Sequence, residues 1–161
     1  MIVPSKKEIA EQAFYIATNL LKEPSGKQDE YIAAFGGINS FLALQNGEVF
    51  IDPIFPQKIS KETINNLNNN LLMFYTGIKR DSRDILQIQA DSTQGKEAQI
   101  IENLHKVKEI GKEIKKALLG GNLHKFGELM DIHWQEKIKR QGTSNPQVNL
   151  WYQKAKEAGA I

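Results

Sequence analysis

The stretch KQDEYIAAFGGINSFLALQNGEVFIDPI, residues 27–54, changes its hydrophobic period halfway along, and that change decides the fold class. Up to Phe35 it reads as a short helix rich in small residues, which the pair Gly36-Gly37 ends. From Ile38 onward, β-branched and aromatic residues flank Asn46-Gly47, the strongest short-range hairpin signal, so strands are expected at 38–45 and 48–54. Just upstream, Ser25 and Gln28 have the spacing of a capping box, which starts the helix near Gly26 and places Asp29 in its first turn. A helix that feeds a hairpin, with further helices around it, is an α+β pattern.

The flanks extend this pattern. Ser5 and Glu8 form a second capping-box spacing, and Ile9, Ala13, Ile16 and Leu20 with Phe14 and Leu21 make a wide apolar stripe, so a first helix is expected over 6–22. Pro53 and Pro56 close the second strand, and Ser60 caps a short helix over 61–68. LLMFYTG at 71–77 reads as a third, well-buried strand, followed by a helix over 80–89 and a loop at 90–95. Ile100, Leu104, Val107, Gly111, Ile114 and Leu118 form the seam of a long amphipathic helix that Gly120-Gly121 ends. Asn122 caps another helix with Leu123, Phe126, Met130 and Trp134 on one face. After a turn at 142–145, Pro146 opens a last helix that Gly159 terminates.

Composition narrows the function classes. With 161 residues the chain suffices for one compact unit. Lys and Arg number 21 against 19 Asp and Glu, a net charge of +2. That is neither the basic excess of a dedicated nucleic-acid binder nor that of a polybasic membrane anchor, and acids interrupt the lysines from Lys106 to Lys116. No cysteine is present, so disulfides and thiolate metal sites are excluded. His105, His124 and His133 lack zinc-ligand spacing, and no metal site is expected. There is no apolar run of membrane-spanning length. These features lead us to expect a cytoplasmic protein without nucleic-acid or membrane partners. Among the 12 glycines there is no G-x-G-x-x-G and no G-x-x-x-x-G-K-[ST], so nothing in the chain cradles a triphosphate by itself.

Two groups of residues invite a chemical reading. A carboxylate at Asp29, in a helix's first turn beside Lys27, is favoured in its charged form and suits accepting a proton from a substrate hydroxyl; it equally suits stabilising the helix start. Thr76-Gly77, followed by Lys79, Arg80 and Arg83, suits an anionic ligand at a strand-to-helix junction. The alternative is a solvated helix start paired with Asp81 and Asp84.

Four blocks in order, SGKQDEYIAAFGGIN with its hairpin, LLMFYTGIKRDSRDIL, FGELMDIHWQEK and SNPQVNLWYQKAKEAGA, resemble the GHMP sugar kinases over nearly the whole chain. The branch most similar is that of the D-glycero-D-manno-heptose 7-phosphate kinases. The resemblance implies an ATP-dependent sugar-phosphate kinase, with the end of its N-terminal domain at 1–57 and most of its C-terminal domain at 58–161. It makes Asp29, in Gly26-Lys27-Gln28-Asp29, the catalytic residue beside the acceptor hydroxyl, with Lys27, Gln28, Thr76, Gly77 and Arg80 on the substrate. Glu30 stands where the family usually has glutamine. The family's glycine-rich segments on either side are missing from these residues, so the resemblance implies a central fragment with an incomplete sheet. Mg-ATP belongs to the complete family enzyme, and neither tight nucleotide binding nor ATP turnover is expected of this chain alone. The alternative is a non-catalytic module that binds a sugar phosphate or a protein. Unpaired edges make a homo-oligomer or a complementing kinase fragment the expected partner.

Overall fold

The structure, a computed structural model, describes residues 3–77, 98–140 and 145–161. It is α+β, and the chain divides into two compact units, Met1–Ser60 and Lys61–Ile161.

Unit one begins with helix α1, Lys6–Tyr15. Both halves of the expected capping box form: the Glu8 amide donates to Ser5 Oγ at 3.2 Å, and the Ser5 amide donates to Glu8 Oε2 at 2.7 Å. The expected extension towards residue 22 is helical, but in a different register. Ile16–Leu20 is one π-helical turn, closed by the Leu21 amide on the Ile16 carbonyl at 2.9 Å, and Lys22 then turns out of it with φ +57°. Helix α2, Gln28–Phe35, ends where Gly36 and Gly37 adopt φ +65° and +69°, a region that costs glycine nothing sterically.

The Ser25 cap does not form. The N-cap position is Lys27 without a side-chain cap, and Ser25 Oγ instead lies 3.0 Å from the Gly26 carbonyl and 3.1 Å from Glu30 Oε1. A serine hydroxyl that finds local acceptors is drawn away from the helix amides.

Strands β1, Asn39–Ala43, and β2, Val49–Pro53, pair antiparallel, with Phe41 opposite Ile51 and Ala43 opposite Val49. The two-residue side-chain period puts these four on one face and Leu42 with Phe50 on the other. The first face packs on α1 and α2 around Ala10, Tyr31 and Val49, with Ala34, Phe35, Phe41 and Ile51 at the margin. Tyr31 is fully buried; its ring stacks on Phe35 at 6.0 Å and meets Phe41 edge-on at 5.9 Å.

Unit two holds α3, Lys61–Asn70; α4, Ala98–Leu119; α5, Leu123–Ile138; and α6, Pro146–Glu157. Helices α4 and α5 form an antiparallel pair around buried Ala117, Leu118 and Leu129. Gly121 at φ +68° makes the turn, and Asn122 Oδ1 accepts the Lys125 amide at 2.9 Å as the expected cap. Asn145 caps α6 in the same way, with Pro146 in its first turn. The outer face of α4 carries exposed ion pairs at helical spacing, Glu102 with Lys106, Glu109 with Lys112 and Glu113 with Lys116. It is the solvated face of an amphipathic helix, and such pairs add little to stability. Among the described residues no helix is long and apolar enough to cross a membrane.

A further expectation fails. Residues 71–77 form no strand: the sheet among the described residues is the two-stranded hairpin alone, and this segment is exposed along its length. Apolar composition gives a segment the propensity for a strand, but a strand also needs a neighbour whose backbone groups complete the ladder. The helix expected over 80–89, the loop at 90–95 and most of the turn at 142–145 lie outside the described residues.

Candidate functional site

The first candidate is built on the start of α2. Asp29 falls in its first turn, where free amides and the helix dipole favour an anion, and its side chain is exposed. Beside it a concavity of about 530 Å³ opens between α2 and the hairpin, lined by Gly26, Lys27, Gln28, Tyr31, Asn39 and Phe41 among others. Asp29 adjoins this lining through Gln28 without being part of it.

Lys27 is held from three directions. Its ammonium donates to Glu11 Oε1 at 2.7 Å, Glu11 Oε2 at 2.9 Å and the Gly47 carbonyl at 2.8 Å, and it sits 5.1 Å from the centre of the Phe14 ring. The same carboxylate accepts the Tyr31 hydroxyl. One acid on α1 thereby ties together the start of α2, the core tyrosine and the hairpin turn. A ligand anion reaching Lys27 has to compete with that carboxylate. Nearby, Glu30 Oε1 takes the Ser25 contact, while Oε2 is buried with no hydrogen-bond partner among the described residues.

The network sets two titrations of opposite sign. The Lys27 ammonium, then the Tyr31 hydroxyl, hold Glu11 below its ordinary value of 4.5. Burial, then the Glu11 carboxylate, push Tyr31 up to about 12. For Glu11 the unfolded chain binds more protons below about pH 4.5, so stability present above that pH is lost as pH falls. Tyr31 keeps its proton in the folded state while the unfolded chain loses it from about pH 10, so stability falls again as pH rises towards 12. Urea midpoints measured across pH are expected to drop at both ends. Glu11→Gln should flatten the acid limb and Tyr31→Phe the alkaline one; unchanged limbs in both variants would remove the network as their cause.

The second group lies in unit two. Thr76 lines an apolar groove of about 650 Å³ with Phe74, Tyr75, Trp134, Trp151 and Tyr152, and Gly77 follows with φ +67°. Arg80 lies outside the described residues. Helices α5 and α6 are joined beside the groove by Asp131, which accepts the Tyr152 hydroxyl and pairs with Lys156 at 3.2 Å. Gln135 Nε2 donates to the same hydroxyl at 2.8 Å. The Tyr152 hydrogen bond, ahead of Lys156, depresses Asp131, whereas burial first and Asp131 second raise Tyr152. His133 is pushed down by burial, then by Lys137 and Arg140, which keeps its imidazole neutral to lower pH. Among the described residues no three His, Asp or Glu side chains converge to hold a metal ion.

Lys27, Gln28 and Asp29 are therefore neighbours on one helix start in unit one, and Thr76 and Gly77 belong to unit two. Reading the sequence missed Glu11 and Tyr31 as the partners of Lys27. Tyr31 resembles any core aromatic, and Glu11 carries no motif. Only the packing of α1 on α2 brings them together.

No family model matches the chain. A curated protein of Campylobacter jejuni subsp. jejuni serotype O:2, named D-glycero-alpha-D-manno-heptose 7-phosphate kinase, is 27% identical to it over 156 residues. The aligned region covers 95% of this chain and 44% of that protein, so the chain spans less than half the length of the relative it matches.

Proposed function

We propose that this chain is the acceptor-side portion of an ATP-dependent sugar-phosphate kinase of the GHMP type, acting on a heptose 7-phosphate or a close analogue. The observation that carries the reading is the similarity along 95% of the chain to a protein named for that activity. Asp29 agrees with it chemically. A carboxylate exposed at a helix start, beside a concavity, can take the proton of an acceptor hydroxyl as that oxygen attacks phosphorus. Lys27 acts in this reading by holding the helix start and the hairpin turn in place, since its donors already have partners. Gln28 is a polar residue lining the concavity, and in this reading it orients the sugar.

ATP and Mg²⁺ are the partners that the reaction needs. The described residues offer no acid cluster for the cation, and the 161 residues contain no glycine-rich phosphate loop, so no step at the donor phosphates is assigned to this chain.

A thermal-shift titration tests the acceptor half directly. Heptose 7-phosphate is expected to raise the melting temperature of the chain in a saturable way, because a ligand bound only by the native state stabilises it. Heptose without phosphate and Mg-ATP should raise it much less. A shift from Mg-ATP alone, with none from the sugar phosphate, would reverse the assignment.

A further inference from the structure

The polar side chains that line the concavity between α2 and the hairpin are of two kinds. Lys27 and Tyr31 are committed to Glu11. An ammonium has three donors, and those of Lys27 go to Glu11 Oε1 at 2.7 Å, Glu11 Oε2 at 2.9 Å and the Gly47 carbonyl at 2.8 Å. The Tyr31 hydroxyl donates to the same carboxylate. A phosphate brought to Lys27 finds all three donors taken and a carboxylate of its own sign beside them.

Gln28 and Asn39 are the other kind. Gln28 is the first residue of α2 and Asn39 the first of β1, so a neutral amide stands at the head of each of two elements that border the concavity. The Asn39 amide is already oriented. Its Nδ2 donates to the Gly36 carbonyl at 2.5 Å, which fixes the nitrogen end and leaves Oδ1 as the acceptor. Each amide both donates and accepts, as a sugar hydroxyl does. Ile32, Phe41 and Val49 add an apolar wall for carbon-bound hydrogens, and about 530 Å³ is a usual size for a small-molecule site.

We propose that this concavity is the subsite for the hydroxyl-bearing carbon chain of the sugar phosphate, that Gln28 and Asn39 are its specificity-determining residues, and that the phosphate group lies outside it. The proposal rests on the reading of the chain as the acceptor side of a sugar-phosphate kinase, and it names which part of the acceptor enters beside Asp29. Every residue it uses belongs to unit one. Selection here is by hydroxyl pattern and not by charge, because amides that bind hydroxyls are left unpaired by an analogue that lacks them.

An NMR titration of the 161-residue chain, following the side-chain amide signals of Gln28 and Asn39, reads the outcome. Heptose and heptose 7-phosphate, each in millimolar excess, should move both signals, and inorganic phosphate at the same concentration should move neither. Gln28→Lys supplies a second measurement. Gln28 is exposed, so the variant should keep its fold, and its affinity for heptose 7-phosphate should fall by about 3–10-fold, what one neutral hydrogen bond carries. Movement of either signal by inorganic phosphate, movement by the sugar phosphate but not by heptose, or an affinity in Gln28→Lys that is unchanged or higher would each overturn the proposal. Its failure is distinct from that of the kinase reading. If heptose 7-phosphate raises the melting temperature while both amide signals stand still, the subsite falls and the kinase reading stands; if it changes neither, both fall.

Discussion

Tyr31→Ala is expected to cost about 3–5 kcal/mol, the range for emptying a fully buried large aromatic site. A unit of 60 residues has a stability of roughly 3–9 kcal/mol at typical per-residue values, so the loss takes most or all of it. The ring is the contact shared by Phe35 of α2 and Phe41 of β1, and its hydroxyl donates to Glu11 of α1. Its removal leaves a cavity where three elements meet and takes one donor from a carboxylate that also holds Lys27. Tyr31→Phe separates the two contributions. It keeps both ring contacts and loses only the hydroxyl, for which about 1–1.5 kcal/mol is expected, because Glu11 is 37% exposed at its side chain and water replaces the donor. Hydrogen exchange is the measurement of choice, since it reports on each unit. Amides of α1, α2, β1 and β2 should lose protection in Tyr31→Ala and largely keep it in Tyr31→Phe. Equal losses in the two variants would show that the hydroxyl, and not the packing, is what matters.

The second large effect concerns Asp29. In a protein that joins these residues to a glycine-rich nucleotide segment and phosphorylates a sugar phosphate, Asp29→Asn is expected to lower kcat by roughly 10²–10⁴-fold, the usual contribution of a general base. KM should change much less, because the amide keeps the size and the hydrogen-bonding reach of the acid but cannot take the proton. The exposure of Asp29 means that the substitution disturbs no packing. A loss of activity would then be chemical, and an unchanged melting temperature is the control. The 161-residue chain assayed alongside should release no ADP above background. Catalysis of phosphoryl transfer is mostly alignment and charge stabilisation of the donor phosphates, and none of these residues forms a phosphate loop. Full activity in Asp29→Asn would take Asp29 out of the mechanism, and robust turnover by the 161 residues would locate a donor site where none was read.

What the amino-acid sequence determined by itself is most of what is closed within three or four residues. The Ser5–Glu8 capping box, the Gly36-Gly37 stop, the Asn46-Gly47 turn, the Asn122 cap and Pro146 at the head of α6 all stand where their spacing put them. For Ser5, Asn46 and Asn122 the side chain and the amide it satisfies are chain neighbours, and the glycine pair and Pro146 act through their own backbone φ, so little else can intervene. The seam of α4 was legible for a related reason, since helical periodicity repeats the same local rule over 22 residues. Tertiary structure decided the rest. Ser25 is a local exception: it had the spacing of a cap and lost it to acceptors one and five residues along, the Gly26 carbonyl and Glu30. Residues 71–77 had the composition of a buried strand and lacked a ladder partner among the described residues. Around the candidate site, Asp29 was readable from its position at a helix start, but the clamp beside it was not. Glu11 meets Lys27 across 16 residues and Tyr31 across 20, and no local pattern encodes such distances. They are set when the apolar faces of α1, α2 and the hairpin close on one another, because burial is non-directional and the choice of partners belongs to the packed unit.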